Sequence, residues 1–212
     1  MSSRTQGRMR GFTLTELMIV VVLAGAILAL GVPSFQQFRL NNRLTNAAND
    51  MLAVITVART EAIKRQRSVS ACRSDTPASL DATCSKTSGA GWIVFLDADN
   101  NCVRGDTVSE PLINARTFDQ GITNNALNVR TDGECLQFGA SGFRQNVGGL
   151  TSLNHVTLCD KRGMAAPDGQ TMSAGRGVLI TVTGRARITR NTSGTATENV
   201  LSDAWKDAKC PS

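Results

Sequence analysis

The sequence predicts an α+β fold: one long N-terminal helix, part membrane-type and part amphipathic, packed on an antiparallel β-sheet or sandwich head. Three observations predict it. From Leu17 to Phe38 the chain carries no charge, long enough to cross a hydrocarbon core, which takes about 20 apolar residues. Beyond that run, Leu40, Leu44, Ala48, Met51, Leu52, Ile55, Ala58 and Ala62 recur at spacings of three and four, the signature of a helix with one apolar face. After Arg67 the pattern shortens into eight apolar stretches separated by Gly- and Asn-containing turns, as in a sandwich or partial barrel.

The first element is bounded by charge. Residues 1–11 hold Arg4, Arg8 and Arg10 and no acid, which orients the N-terminus to the cytoplasm. One carboxylate, Glu16, stands at the head of the apolar run, where an ionised group is costly and needs a partner. A cleavable secretory signal would end in small residues after the run. Here Ala24-Gly25-Ala26 lies inside it and Val32-Pro33-Ser34 is a poor site. An ordinary anchor explains the run but not Glu16. No Gly or Pro interrupts residues 34–66, so Thr13 to Gln66 reads as one helix, with Gly25, Gly31 and Pro33 as its weak points. Proline removes one backbone hydrogen bond and kinks a helix.

The strand candidates are Ser68–Cys72, Trp92–Leu96, Thr107–Ala115, Leu127–Arg130, Cys135–Gly139, His155–Cys159, Val178–Val182 and Arg185–Arg190. The expected division is therefore 12–38 membrane or filament-core helix, 39–66 amphipathic helix, 67–190 head and 191–212 tail.

Of the 212 residues, six are cysteines and one is histidine, with no Cys-x-x-Cys pair. That argues against zinc, and with membrane targeting it argues for disulfides made in an oxidising compartment such as the periplasm. Cys72 and Cys84 bracket a short polar loop, Cys159 is expected to hold Cys210 and pin the tail, and Cys102 is left for Cys135. Asp97-Ala98-Asp99-Asn100-Asn101 begins like a calcium loop, but Val108 stands where the bidentate Glu belongs and Cys102 where the turn Gly belongs. No metal or cofactor is assigned. His155 has no nucleophile or acid arranged with it and reads as a packed or surface imidazole; no catalytic residue is assigned.

The chain's formal charge is +6, of which the first eleven residues contribute three, leaving 20 − 17 = +3. The remainder is polarised. Residues 161–190 hold Lys161, Arg162, Arg176, Arg185, Arg187 and Arg190 against Asp168, a net of +5, whereas residues 67–160 hold seven bases and ten acids. In Gly184-Arg185-Ala186-Arg187 the two arginines point to one face of a strand. Such a patch binds nucleic-acid phosphates without sequence preference; a solvated strand, or charges meeting acidic neighbours, reads the same residues differently.

Gly11-Phe12-Thr13-Leu14-Thr15-Glu16-Leu17 resembles the prepilin signature of type IV pilins and type II secretion pseudopilins. Ala58-Arg59-Thr60-Glu61-Ala62-Ile63-Lys64-Arg65, Gly91-Trp92-Ile93-Val94-Phe95-Leu96-Asp97 and Thr181-Val182-Thr183-Gly184-Arg185-Ala186-Arg187-Ile188 are similar to stretches of the GspH/FimT/FimU group. The resemblance implies a leader, residues 1–11, cut between Gly11 and Phe12 by a prepilin peptidase that methylates Phe12. It implies that Glu16 meets the Phe12 amine of a neighbouring subunit and sets filament register, a self-pair being the alternative. It implies melting near Pro33 on assembly, and an inner-membrane protein with a periplasmic head before incorporation into a surface fibre. The expected function is a minor pilin at or near the pilus tip, partnered by major and minor pilins. The alternatives are the H-type pseudopilin of a type II secretion system and a receptor for double-stranded DNA, since Gly184, Arg185 and Arg187, with Arg176 and Arg190 nearby, are similar to a Gly-Arg-x-Arg motif that supports DNA capture. The 22-residue tail and the extra cysteines depart from the shorter members.

Overall fold

The computed structural model describes residues 11–85, 90–105, 107–118, 127–150, 152–160, 162 and 174–190, with the side chains of residues 30–34 and 130 outside that description. The chain divides into two compact units, Met1–Leu40 and Asn41–Ser212. Helix α1 is assigned from Leu14 to Arg65, through Gly25 and Pro33.

In the first unit, α1 starts with a side-chain cap. The Glu16 N–H donates to Thr13 Oγ1 at 3.2 Å, and the Leu17 N–H donates to the Thr13 carbonyl at 3.2 Å. Thr13-Leu14-Thr15-Glu16 has the Thr-x-x-Glu spacing of a capping box, and the carboxylate sits in the first turn where the helix dipole favours it. From Leu17 to Leu23 every side chain is exposed. Seven consecutive positions point in all directions around a helix, so no face of this half is covered within its unit. Among the described residues, no helix is long and apolar enough to cross a membrane; the expected span, 12–38, includes residues 30–34, whose side chains are outside the description.

In the second unit, the same helix has a covered face. Leu44, Ala47, Ala48, Met51, Val54, Ile55, Ala58 and Ala62 are buried, the three-four spacing laid against a domain. The helix ends at Gln66, which takes φ 54° where glycine is usual, while its Nε2 donates to the Ile63 carbonyl and Arg67 N–H reaches the Ala62 carbonyl.

Among the described residues, nine strands follow: β1 Val69–Ser74, β2 Gly91–Leu96, β3 Leu112–Thr117, β4 Asn128–Thr131, β5 Cys135–Phe138, β6 Arg144–Gln145, β7 His155–Cys159, β8 Arg176–Ile180 and β9 Ala186–Thr189. They form two antiparallel sheets, ordered β3-β2-β1-β5-β6 and β4-β7-β8-β9. Val69, Ala71, Trp92, Val94, Leu136 and Phe138 of the first sheet share one core with Val156, Leu158, Val178 and Ile180 of the second and with the α1 stripe. The helix is thus part of the packing between the sheets, and the head is not a sandwich of sheet on sheet alone.

Strand β2 explains its unbroken apolar run. Its other face, Ile93 and Phe95, is buried with Cys72, Ala82 and Cys84. The Cys72–Cys84 disulfide ties the 75–85 loop over that face. Cys102 is joined to Cys135, linking the loop after β2 to β5. Cys159 is also in a disulfide; Cys210, its expected partner, lies outside the described residues, as does Trp205.

The strand limits differ from the sequence reading in places with a physical cause. β3 starts at Leu112, not Thr107, because Glu110 turns its carboxylate back to accept from the Ala98 and Gly105 N–H groups, and Pro111 has no N–H to give a ladder. β8 stops at Ile180, not Val182, because Thr181 and Gly184 close a turn through Gly184 N–H to Thr181 carbonyl at 2.9 Å. Two-residue β6 was not expected.

Candidate functional site

The β8–β9 hairpin carries the candidate arginines, and its register sorts them. Paired residues in a sheet share a face. Val178 pairs with Ile188 and Ile180 with Ala186, and Val178 and Ile180 belong to the core. Leu179 pairs with Arg187, on the opposite face. Arg185 and Arg187 are both exposed there, beyond the hairpin turn, so the structure brings these two together.

Arg176 is elsewhere, and its place in the candidate patch is corrected. It shares the phase of Val178 and Ile180, points inward and is 3% exposed. Its Nη1 donates to the Ala174 and Gly175 carbonyls at 2.8 and 3.1 Å, and Nη2 to Thr45 Oγ1 of α1 at 3.5 Å. Burial pushes its pKa down to about 10, with Arg190 and then Arg162 adding like-charge repulsion against the opposing pull of Asp160. Continuing the register one residue beyond the Gly177–Thr189 pair sets Arg190 opposite Arg176, away from the Arg185–Arg187 face. Arg162 is engaged with Asp160 at 2.6 Å and with Asn41 Oδ1 at 2.9 Å. The basic segment is therefore two clusters: an outward pair near the hairpin tip, and a second group in which Arg176 and Arg162 reach the start of the α1 head half while Arg190 stays exposed. The remaining base of that segment, Lys161, lies outside the described residues.

Gly184 holds the tip in place for two reasons. It takes φ +76°, which disfavours any side chain. A Cβ there would also lie 2.8 Å from the Gly142 carbonyl oxygen and 2.8 Å from Phe138 Cε1. The hairpin is seated on the β5–β6 turn, which is itself held by Arg59 Nε donating to the Gly142 oxygen at 3.1 Å. Arg144 N–H donates to the Val182 carbonyl at 3.1 Å, joining the two sheets. Helix, first sheet and hairpin meet here.

Two other groups weighed from the sequence are accounted for. Asp97, Asp99 and Glu110 bring carboxylate oxygens within 4.8 Å of one another. Glu110 is the acid that sequence spacing missed, because it is thirteen residues past Asp97 and reaches back across the loop. Asp97 Oδ2 accepts from Ser70, Gln137 and the Cys102 N–H, and its Oδ1 from the Asn101 N–H, so it staples a loop in which Asn100 and Cys102 have positive φ. His155 is buried, with Nε2 and Thr157 Oγ1 3.0 Å apart; burial lowers its pKa, and Asp132 opposes that shift.

At the other end, the first turn of α1 combines Phe12, 76% exposed, with Glu16 capped as described and an uncovered apolar surface behind.

Fold and site together define a class: a β-rich head of two sheets built on the second half of one helix, whose first half carries apolar side chains that its own unit leaves exposed. A family model described as "Type II transport protein GspH" matches residues 47–200, and the chain belongs to that family. It is also similar to the type IV major pilin protein PilA of Myxococcus xanthus, 41% identical over 54 residues, which are 26% of this chain and 24% of that one. A fimbrial protein of Pseudomonas aeruginosa is 34% identical over 61 residues, 29% of this chain and 40% of that one. The chain thus spans a quarter to two fifths of these curated relatives. Among solved structures, the minor pilin FimU of Pseudomonas aeruginosa is similar in two crystal forms at 20% identity. TM-scores are 0.40 and 0.43, with 73% and 76% of this chain and 98% and 97% of FimU covered.

Proposed function

We propose that the chain is a minor pilin of a type IV pilus, a structural subunit at or near the tip that helps to start filament assembly. The observation that carries this reading is the uncovered apolar half of α1. Exposed Leu17, Met18, Ile19, Val20, Val21, Val22 and Leu23 would cost far too much in water, at roughly 25 cal/mol for each Å² of apolar surface. A bilayer before assembly and neighbouring pilin helices afterwards are the two environments that cover such a segment. Membership of the GspH family and the identity with a major pilin support the same reading. In it, prepilin peptidase cuts after Gly11 and methylates Phe12, Glu16 pairs with the Phe12 amine of the next subunit, and Gly25 and Pro33 let the helix yield on packing. The span lies in the inner membrane, with the head in the periplasm, where its disulfides form. The subunit is structural rather than enzymatic.

The family description favours a second reading, the H-type pseudopilin of a type II secretion system. Deleting the gene separates them: loss of surface pili with secretion intact supports the pilin, and the reverse supports the pseudopilin. A further role in capturing double-stranded DNA is favoured by the shared outward face of Arg185 and Arg187. A few phosphate contacts should bind weakly, lose affinity steeply with salt and ignore sequence. A titration of labelled duplex with the full chain in detergent checks it, and Arg185→Gln with Arg187→Gln should abolish the binding.

A further inference from the structure

The hairpin tip carries an apolar surface that phosphate binding alone leaves unexplained. Phe143 is 52% exposed, Val182 65% and Ile63 42%. They are neighbours. A Cβ on Gly142 would lie 2.6 Å from Ile63 Cδ1, Phe143 follows Gly142, and the Val182 carbonyl accepts from the residue after Phe143. Gly184 rests on the Gly142 oxygen, and Arg185 follows Gly184. The elements underneath are fixed by the Arg59–Gly142 hydrogen bond and the Arg144–Val182 backbone bond. The backbone thereby brings exposed Phe143 and Arg185 to the same tip, each one residue from the Gly142–Gly184 contact, with Lys64 and Arg65 in the last turn of α1 adding positive charge against Glu61.

An exposed aromatic beside guanidinium groups matches one ligand chemistry in both parts. Bases stack on the ring whatever their identity, and the linking phosphates meet the cations. A duplex hides its base faces except at its ends. We propose that this surface takes single-stranded nucleic acid, with an unpaired base stacked on Phe143 and the flanking phosphates held by Arg185 and Arg187. This rests on the nucleic-acid reading of the hairpin and names the form it prefers.

The test uses the full chain in detergent and a fluorescein-labelled DNA of about 15 nucleotides, the span of one single-strand site, as single strand and as blunt duplex, read by anisotropy at low salt. The wild type should bind the single strand several-fold more tightly than the duplex. Phe143→Ala should weaken the single strand about tenfold and leave the duplex unchanged, while Phe143→Trp keeps the preference. Arg185→Gln with Arg187→Gln should weaken both. Unaltered thermal unfolding of Phe143→Ala shows that the head is intact. If both DNA forms bind equally, or Phe143→Ala changes neither, the stacking site is overturned and the duplex reading stands. Phe143→Ala that keeps DNA but loses co-purifying pilins would make this a protein-contact surface. If neither DNA form binds the wild type, the nucleic-acid reading falls as well.

Discussion

The two halves of α1 are built from similar apolar residues and meet different fates. From Leu17 to Leu23 the apolar side chains point in every direction and all are exposed; from Leu44 to Ala62 the apolar stripe Leu44, Ala47, Ala48, Met51, Val54, Ile55, Ala58 and Ala62 is buried. The difference lies in spacing. Asn42, Asn46 and Asn49 interleave with Leu44, Ala48 and Met51, so only one face needs a cover, and the head supplies it. Nothing polar interleaves between Leu17 and Leu23, so a cover on one face could not suffice. Periodicity, more than hydrophobicity, separates the half covered by its own chain from the half left uncovered within its unit.

The sharpest break of this comparison is a cavity placed in each half. Met51→Ala should destabilise the head by about 2–5 kcal/mol, the usual cost of a buried large-to-small change. Leu23→Ala should leave head unfolding unchanged. Chemical denaturation followed by far-ultraviolet circular dichroism and by the fluorescence of Trp92, buried in the head core, reads both. Next in size is the cover of the first sheet's outer face. Replacing Cys72 and Cys84 by Ser opens a loop with a sequence separation of 12 and should cost about 2–4 kcal/mol, seen as a lower unfolding temperature without loss of the helix by circular dichroism.

Gly184→Ala comes third. Its positive φ costs about 1–3 kcal/mol for a residue with a Cβ, and the new methyl group meets backbone at Gly142. The hairpin should tilt off its seat, so duplex affinity should fall with both arginines still present. The smallest effect is that of pH. His155 is buried with its pKa lowered, so the folded head prefers the neutral ring. The unfolded chain takes up its proton first as pH falls below about 6.5, so stability is complete above that value and declines below it. Unfolding temperature should drop between pH 7.5 and 5.5, and His155→Gln should flatten that part of the profile. Glu61, lowered chiefly by its hydrogen bond to Arg65, contributes its own loss only in a more acid range.

Much of this was legible in the sequence because it follows from local periods. The head stripe of α1 is a three-four pattern. The apolar run Trp92–Leu96 announced a strand. Alternation put Arg185 and Arg187 on one side. What escaped depends on phase and on long reach. Arg176 belongs in sequence to the same basic segment as the outward pair, and only a strand that begins at Arg176 rather than Val178 sets it in the inward phase of Val178 and Ile180. Glu110 reaches back to Ala98 and Gly105 and delays β3, a tertiary hydrogen bond that no window of residues displays. β6 has two residues, too few for any pattern. The support that Gly142 and Arg59 give Gly184 needs three distant segments to meet.

The central claim is that residues 12–38 serve as a processed pilin segment. It is tested most directly by mass spectrometry of the N-terminal peptide of the protein isolated from the membrane fraction of its native host. The expected peptide begins at Phe12 and carries one added methyl group on its amine. A chain beginning after residue 30, or one retaining Arg10 and Gly11, would contradict the account.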